Sequence, residues 1–387
     1  MHEPPQPLTT REAVWRETYE ASGARVWQLT GAPAIHANIY MDVPYADATS
    51  RYAMLLKSRE SAGNVEVWRA DLHDGSLTRA CEDVMRWEGL TTSPDQRYFF
   101  CARRPEPGCL EVRRVEIATL QVQTFRFDCP ARLIGCCATA ATDNSFLIMP
   151  AFLGPHRFGL LRFDLPSGSW QVCHEGGDDL CNSNPLLDPA TGRWLLVQHN
   201  RGAECDETGR CLRSTGPEGA TLYLLDLADG TTRPLLLGLP HTGSCGGHSS
   251  WAGSTGRFVT NISWSDQAET EARGSVAVVD AGTGEVSLAG RGLCAVHVNA
   301  SRDGRFFVAD SWAGGWSDKR LYVGSLRTGR LTVLCEHGSS FGAAQDTHPH
   351  PWLTPDNRWV VFNSDRTGLP QVYAARVPDE LLGRLEE

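Results

Sequence analysis

The 387-residue sequence predicts an all-β fold, a seven-bladed β-propeller, on three observations. An arginine followed by an aromatic residue recurs at near-even intervals. Each recurrence opens short apolar segments that end in an aspartate and a tight glycine turn. The last unit lacks a strand that the N-terminus carries spare.

The recurring pairs are Arg51-Tyr52, Arg97-Tyr98, Arg193-Trp194, Arg257-Phe258, Arg305-Phe306 and Arg358-Trp359, spaced by 46, 96, 64, 48 and 53 residues. The gap of 96 is twice 48, and Asp143-Asn144-Ser145-Phe146 fills its middle, which makes seven units. Within a unit, a polar turn such as Ser301-Arg302-Asp303-Gly304 precedes an apolar strand, here Phe306-Phe307-Val308-Ala309. A second strand then runs into an acidic turn, as in Tyr223 to Gly230, and another follows, such as Leu331-Thr332-Val333-Leu334. Four short strands every 40 to 50 residues are the pattern of propeller blades.

The units fall at roughly 36–80, 88–128, 134–175, 180–237, 244–290, 294–336 and 345–378, within one domain spanning 1–387. The seventh stops after Val377, one strand short. Segment 25–31, Arg25-Val26-Trp27-Gln28-Leu29-Thr30 and Gly31, reads as that strand, and lending it to the last blade would close the ring and remove exposed sheet edges. A pair of β-sandwiches or an open β-rich array is the competing architecture.

Composition narrows the function. The 38 glycines and 22 prolines suit many turns. A net charge of −10 argues against nucleic acid, whose phosphates need a basic surface, yet leaves room for a small anionic substrate in a local basic pocket. No basic segment followed by an apolar core opens the sequence at Met1-His2-Glu3-Pro4-Pro5, so no signal peptide is expected. No apolar run reaches membrane-spanning length. The 13 cysteines include the adjacent Cys136-Cys137 and the neighbours Cys205 and Cys211, but no CxxC pair. They read as reduced thiols of a cytoplasmic protein.

The start of each innermost propeller strand lies at the mouth of the central channel. That position, just before the polar turn, holds His248 in the fifth unit, His297 in the sixth and His350 in the seventh, with His348 two residues earlier. Residues i and i+2 of a strand share a face, so His348 and His350 are expected to point into one space. Gln345 can add an amide oxygen. One histidine alone reads as a packed or surface residue, whereas four at matching positions predict a metal site. Imidazoles with an amide oxygen suit manganese, iron, nickel or zinc better than calcium or magnesium. His36 and His199 are weaker candidates. Arg201, Arg210 and Arg213 lie in a polar insertion, Asn200 to Gly219, long enough to be functional. There is no G-x-S-x-G elbow and no phosphate-binding P-loop.

The segment Gln345-Asp346-Thr347-His348-Pro349-His350-Pro351, followed by Thr354-Pro355-Asp356, resembles the Q-x-T-H-P-H-P…T-P stretch of the oligogalacturonate lyases. His36-Ala37-Asn38, Gly247-His248-Ser249-Ser250-Trp251, His297 and His337-Gly338-Ser339-Ser340 extend the resemblance along nearly the whole chain. It implies a manganese ion held by His297, Gln345, His348 and His350, with His248 as catalytic base. It further implies a cytoplasmic enzyme cleaving oligogalacturonate, or a related uronic-acid oligosaccharide, by β-elimination. One departure stands out. Thr221 occupies the place of the family's catalytic arginine, and His199-Asn200-Arg201 replaces its His-Glu-Gly. His199, Arg201 and Arg210 are therefore the candidate contacts to an anionic sugar. A different metal-assisted elimination, isomerisation or hydrolysis of a carbohydrate is the second reading, and a non-catalytic binding propeller of the TolB or WD40 kind is the third.

Overall fold

A computed structural model describes residues 8–58, 63–135 and 138–387; the Met1 to Pro5 opening and the Cys136-Cys137 pair lie outside the described residues. The chain is all-β apart from a few short helices and forms successive antiparallel units. The sixth unit shows the plan: strands Ala295–Ala300, Phe306–Ser311, Arg320–Ser325 and Leu331–Glu336 pair in order. Phe306–Ser311 is buried at every position because both faces of its sheet are covered, which explains its unbroken apolar run Phe306-Phe307-Val308-Ala309. Outer strands alternate less and are wetter: Val122–Asp128 of the second unit is mostly exposed and carries Gln123, Thr124 and Arg126.

The arginine–aromatic repeat has a structural cause. In the first, second and fourth units the aromatic sits across from an acidic residue of the next strand: Tyr52 faces Asp71, Tyr98 faces Glu116 and Trp194 faces Asp226. The preceding arginine reaches that acid and covers the aromatic ring. Arg51 Nε donates to Asp71 at 2.8 Å and lies 5.0 Å from the Tyr52 ring centre; Arg193 does the same with Asp226 and Trp194. The same aspartate ends its strand by accepting a turn amide, Gly75 N to Asp71 O and Gly230 N to Asp226 O, both at 2.8 Å. One acid thus pins the corner of the unit from both sides.

Apolar clusters join neighbouring units in succession. Phe307 and Ala309 of the sixth unit pack with Val259 and Val278 of the fifth, while Val308 and Leu321 pack with Val360 and Phe362 of the seventh. Trp352, Val361 and Val372 of the seventh share a cluster with Met54, Leu55 and Val67 of the first. The N-terminal strand Ala24–Gln28 pairs antiparallel with Gln371–Arg376, so strands from both halves of the chain meet in the last sheet.

The observed strand covers Ala24–Gln28, short of the expected 25–31, and it is not the sheet's edge. Val14–Tyr19 pairs outside it, and Thr9–Arg11 adds to the outer strand of the first unit. A C-terminal helix, Asp379–Glu386, also went unpredicted; it buries Leu381 and Leu385 against the sixth and seventh units. The insertion after Asn200 folds as a small hairpin, Glu204–Cys205 with Cys211–Arg213. Among the described residues no helix is long and apolar enough to cross a membrane.

Candidate metal centre

In the fifth and sixth units, the histidine lies where the innermost strand leaves its ladder. The pairing of Ser244–Trp251 with its neighbour skips between Cys245 and Ser249, and that of Ala295–Ala300 skips between Ala295 and Val298. His248 and His297 fall inside these irregularities, which turn a side chain away from the regular alternation. The seventh unit goes further. His348 and His350 do not sit on a strand, as the i, i+2 reading expected; pairing begins only at Trp352–Leu353. Pro349 and Pro351 lack amide hydrogens and cannot continue a ladder. His348 instead ends a one-turn 3-10 helix, Gln345–Thr347, and His350 has φ of 43°. A non-glycine residue held in the left-handed region is strained, a condition that persists where surrounding structure enforces it. Here Asn38 does so, donating from Nδ2 to the His350 carbonyl at 2.7 Å.

Each break is bridged by a side chain 13 residues further on. Asn261 Oδ1 accepts the His248 amide at 3.2 Å, and Asp310 Oδ1 accepts the His297 amide at 2.9 Å. Asn363, 13 after His350, accepts the Asn38 amide through Oδ1 at 2.7 Å and donates from Nδ2 to the His348 carbonyl. This His-x12-Asn/Asp repeat is readable in the sequence and was missed there.

The three imidazoles of His297, His348 and His350 converge, each offering a nitrogen within 4.8 Å of the others. His297 and His350 are buried, and burial among neighbouring imidazoles holds both well below the ordinary histidine pKa, so they are neutral and can act as ligands. Asp310 is itself fully buried and accepts from His297 Nδ1 at 2.7 Å. Burial pushes its pKa up to about 6, which still leaves a carboxylate at neutral pH. That contact fixes the proton on Nδ1 and leaves Nε2 bare. His350 has neither ring nitrogen hydrogen-bonded although it is buried, which is costly unless a ligand completes it. The donor set fits a divalent transition metal on these two grounds, a bare Nε2 and an orphaned buried imidazole.

Other side chains close round the group. His248 Nδ1 lies 2.9 Å from the Val296 carbonyl, so it donates there and its Nε2 carries a free lone pair. Its ring is 4.7 Å from that of His297 but outside the convergent trio. Tyr40 lies 4.7 Å from His350, and Phe341 lies 5.5 Å from His348 and 5.2 Å from His337. Gln345 begins the 3-10 helix and is exposed, and its backbone carbonyl accepts the His348 amide at 3.0 Å. Its neighbour Asp346 is buried in an ion pair with Arg86.

The remaining candidates lie elsewhere. His36 is buried beside Glu12 and Lys57, where burial lowers its pKa to about 4. His199 Nε2 meets Asp179 at 2.6 Å beside Tyr223 and Thr221, in a surface cavity of the fourth unit. Thr221, where an arginine was expected, donates to the Leu237 carbonyl at 2.6 Å. Arg201 does not present a free cation beside it. The guanidinium binds the carbonyls of Gly219 at 3.0 Å, Leu239 at 2.8 Å and Glu218, clamping the insertion to the next loop. Arg213 pairs with Glu204, and Arg210 is exposed.

Comparison with known proteins bears on the same region. Residues 250–381, which include His297, Asp310 and the His-Pro-His segment, match the family profile described as oligogalacturonate lyase. An oligogalacturonide lyase of Pectobacterium atrosepticum is 38% identical over 100 residues, 22% of this chain and 26% of that protein. An oligogalacturonate lyase of Dickeya dadantii is 35% identical over the same shares. The matched segment thus spans about a quarter of the length of these relatives. Two solved structures superpose along nearly the whole chain, each covering 97% of it and 99% of the other. One is an oligogalacturonate lyase in complex with manganese (TM-score 0.74) and one an oligogalacturonate lyase from Vibrio parahaemolyticus (TM-score 0.75), both at 18% identity.

Fold and site together define an all-β protein with a buried histidine centre able to hold a metal ion. The segment that carries His297, Asp310 and the His-Pro-His motif is similar to the oligogalacturonate lyase family.

Proposed function

We propose that this protein is a manganese-dependent lyase that cleaves oligogalacturonate, or a closely related uronic-acid oligosaccharide, by β-elimination. The observation that carries the reading is the convergence of three imidazoles, one of them buried with both nitrogens unpartnered, in a segment shared with oligogalacturonate lyases. The units are read as seven blades closed into a ring through Ala24–Gln28, supported by the apolar cluster common to the last and first units. His297, His348 and His350 would hold the cation, with the amide oxygen of Gln345 as fourth ligand.

A divalent cation there would neutralise the sugar carboxylate and the charge that develops beside it as the adjacent proton leaves. His248 supplies the base. Its Nδ1 hydrogen is committed to Val296, so Nε2 can take the proton from the carbon next to the carboxylate. The electron pair of that C–H bond becomes the new double bond, and the glycosidic C–O bond breaks with its electrons on the departing sugar oxygen. Burial lowers the His248 pKa, which keeps the base unprotonated at neutral pH. The reaction needs neither water nor a covalent nucleophile. Arg210 and His199 remain candidate contacts to a second sugar, and the working compartment is the cytoplasm.

Purified protein with manganese, mixed with a panel of uronic-acid oligosaccharides, tests the proposal through ultraviolet absorbance of unsaturated product. Absorbance growing on galacturonate oligomers supports it. Turnover of another uronate alone narrows the substrate to that sugar, whereas silence across the whole panel refutes the assignment and favours the second reading, for which the Thr221 departure is the motive, or the third.

A further inference from the structure

The fourth unit holds a second cluster of reactive side chains, remote in role from the imidazoles. Cys205 and Cys211 face each other across the small hairpin of the insertion. The thiol of Cys181, which follows the 3-10 turn Asp178–Leu180, lies close to both. Two independent contacts hold these elements together: Cys205 and Cys181 belong to one apolar cluster, and the Cys205 amide donates to Asp178 at 2.8 Å. The three differ in access. Cys211 is exposed, Cys181 half-buried and Cys205 buried.

We propose that Cys181 and Cys211 form a thiol–disulfide exchange site that reacts with small-molecule disulfides. The exposed Cys211 attacks one sulfur of the oxidant R–S–S–R; its proton leaves with the first thiol, R–SH, and a mixed disulfide remains on Cys211. Cys181, close by, then gives up its proton and attacks the Cys211 sulfur, displacing the second R–SH and leaving a Cys181–Cys211 bond. Two protein thiols are oxidised and one small disulfide is reduced to two thiols. Another thiol pair provides a contrast. Cys81 and Cys101 also touch, but both are buried and offer no entering thiol. The new bond would tie the hairpin to the turn that carries Asp179, the residue holding His199.

The full-length reduced protein is treated with oxidised glutathione, free thiols are alkylated, and tryptic peptides are read by mass spectrometry. Cleavage after Arg193, Arg201, Arg210 and Arg213 puts the three cysteines on separate peptides. The expected result is a Cys181–Cys211 linked pair with Cys81 and Cys101 still alkylated. Cys181→Ser should trap glutathione on Cys211, and Cys211→Ser should abolish both adduct and cross-link. The proposal is overturned if Cys211 stays fully alkylated, if the bond joins Cys205 instead, or if the trio co-purifies with a stoichiometric metal that blocks alkylation.

Discussion

Replacing Asp310 by asparagine tests how the metal centre is tuned without touching a ligand. The carboxylate accepts two bonds at once, from His297 Nδ1 at 2.7 Å and from the His297 amide at 2.9 Å. Asparagine keeps the shape but has one acceptor and one donor. If its NH₂ faces the backbone, two donors oppose each other. If it faces the ring, His297 must move its proton from Nδ1 to Nε2, and the nitrogen aimed at the metal is lost. Changes of this kind behind a metal ligand typically lower affinity by about 10–100-fold, or roughly 1.4–2.7 kcal/mol. Calorimetric titration of metal-stripped Asp310→Asn with manganese, beside circular dichroism to verify folding, is the assay. A folded variant that binds manganese as tightly as wild type would refute the reasoning that Asp310 sets the His297 tautomer.

His248→Ala should lose about 10²–10⁴-fold in turnover while keeping its metal, as expected for loss of a general base; loss of metal on elemental analysis would make His248 a ligand. His36 is neutral in the fold with a pKa near 4, against about 6.5 when unfolded, so its folded-state preference is complete above pH 6.5 and is lost as pH falls towards 4. Between pH 7.5 and 5 this costs about 2 kcal/mol, and His36→Gln should flatten the fall of thermal midpoint over that window; an unchanged slope contradicts the assignment. Val26→Asp places an unpaired charge on the buried face of Ala24–Gln28 and should cost several kcal/mol in denaturant unfolding, whereas a near-neutral effect would mean that this strand does not hold the last sheet together. Arg201→Lys should lower stability through lost carbonyl contacts without changing KM; a raised KM at unaltered stability would return Arg201 to the substrate site.

Much of the architecture was legible because its causes are local and repeat. The arginine–aromatic pairs mark the corners of the units, and in the first, second and fourth the arginine reaches an acid on the next strand, so the spacing shows in one dimension. The N-terminal strands Thr9–Arg11 and Val14–Tyr19 escaped notice because they join sheets whose other strands are encoded far away, and their mostly exposed residues carry little apolar alternation. The convergence of His297, His348 and His350 was legible from their matching places in the repeat. Its backbone was not: the prolines beside His350 argue against a strand, and the reading gave the His-x-His spacing more weight than their missing amides. Asp310 was overlooked because one aspartate in a buried strand looks like any other until its 13-residue offset is set beside those of Asn261 and Asn363. The role expected of Arg201 rested on charge alone; which carbonyls it would meet depends on the turn at Gly238 and the course of the insertion, neither of which spacing reveals.

Anomalous diffraction from crystals grown with manganese tests the central claim most directly. The account predicts one strong peak within bonding distance of nitrogens from His297, His348 and His350, lost in a His350→Ala crystal. A peak seated elsewhere, or none at saturating manganese, would contradict it.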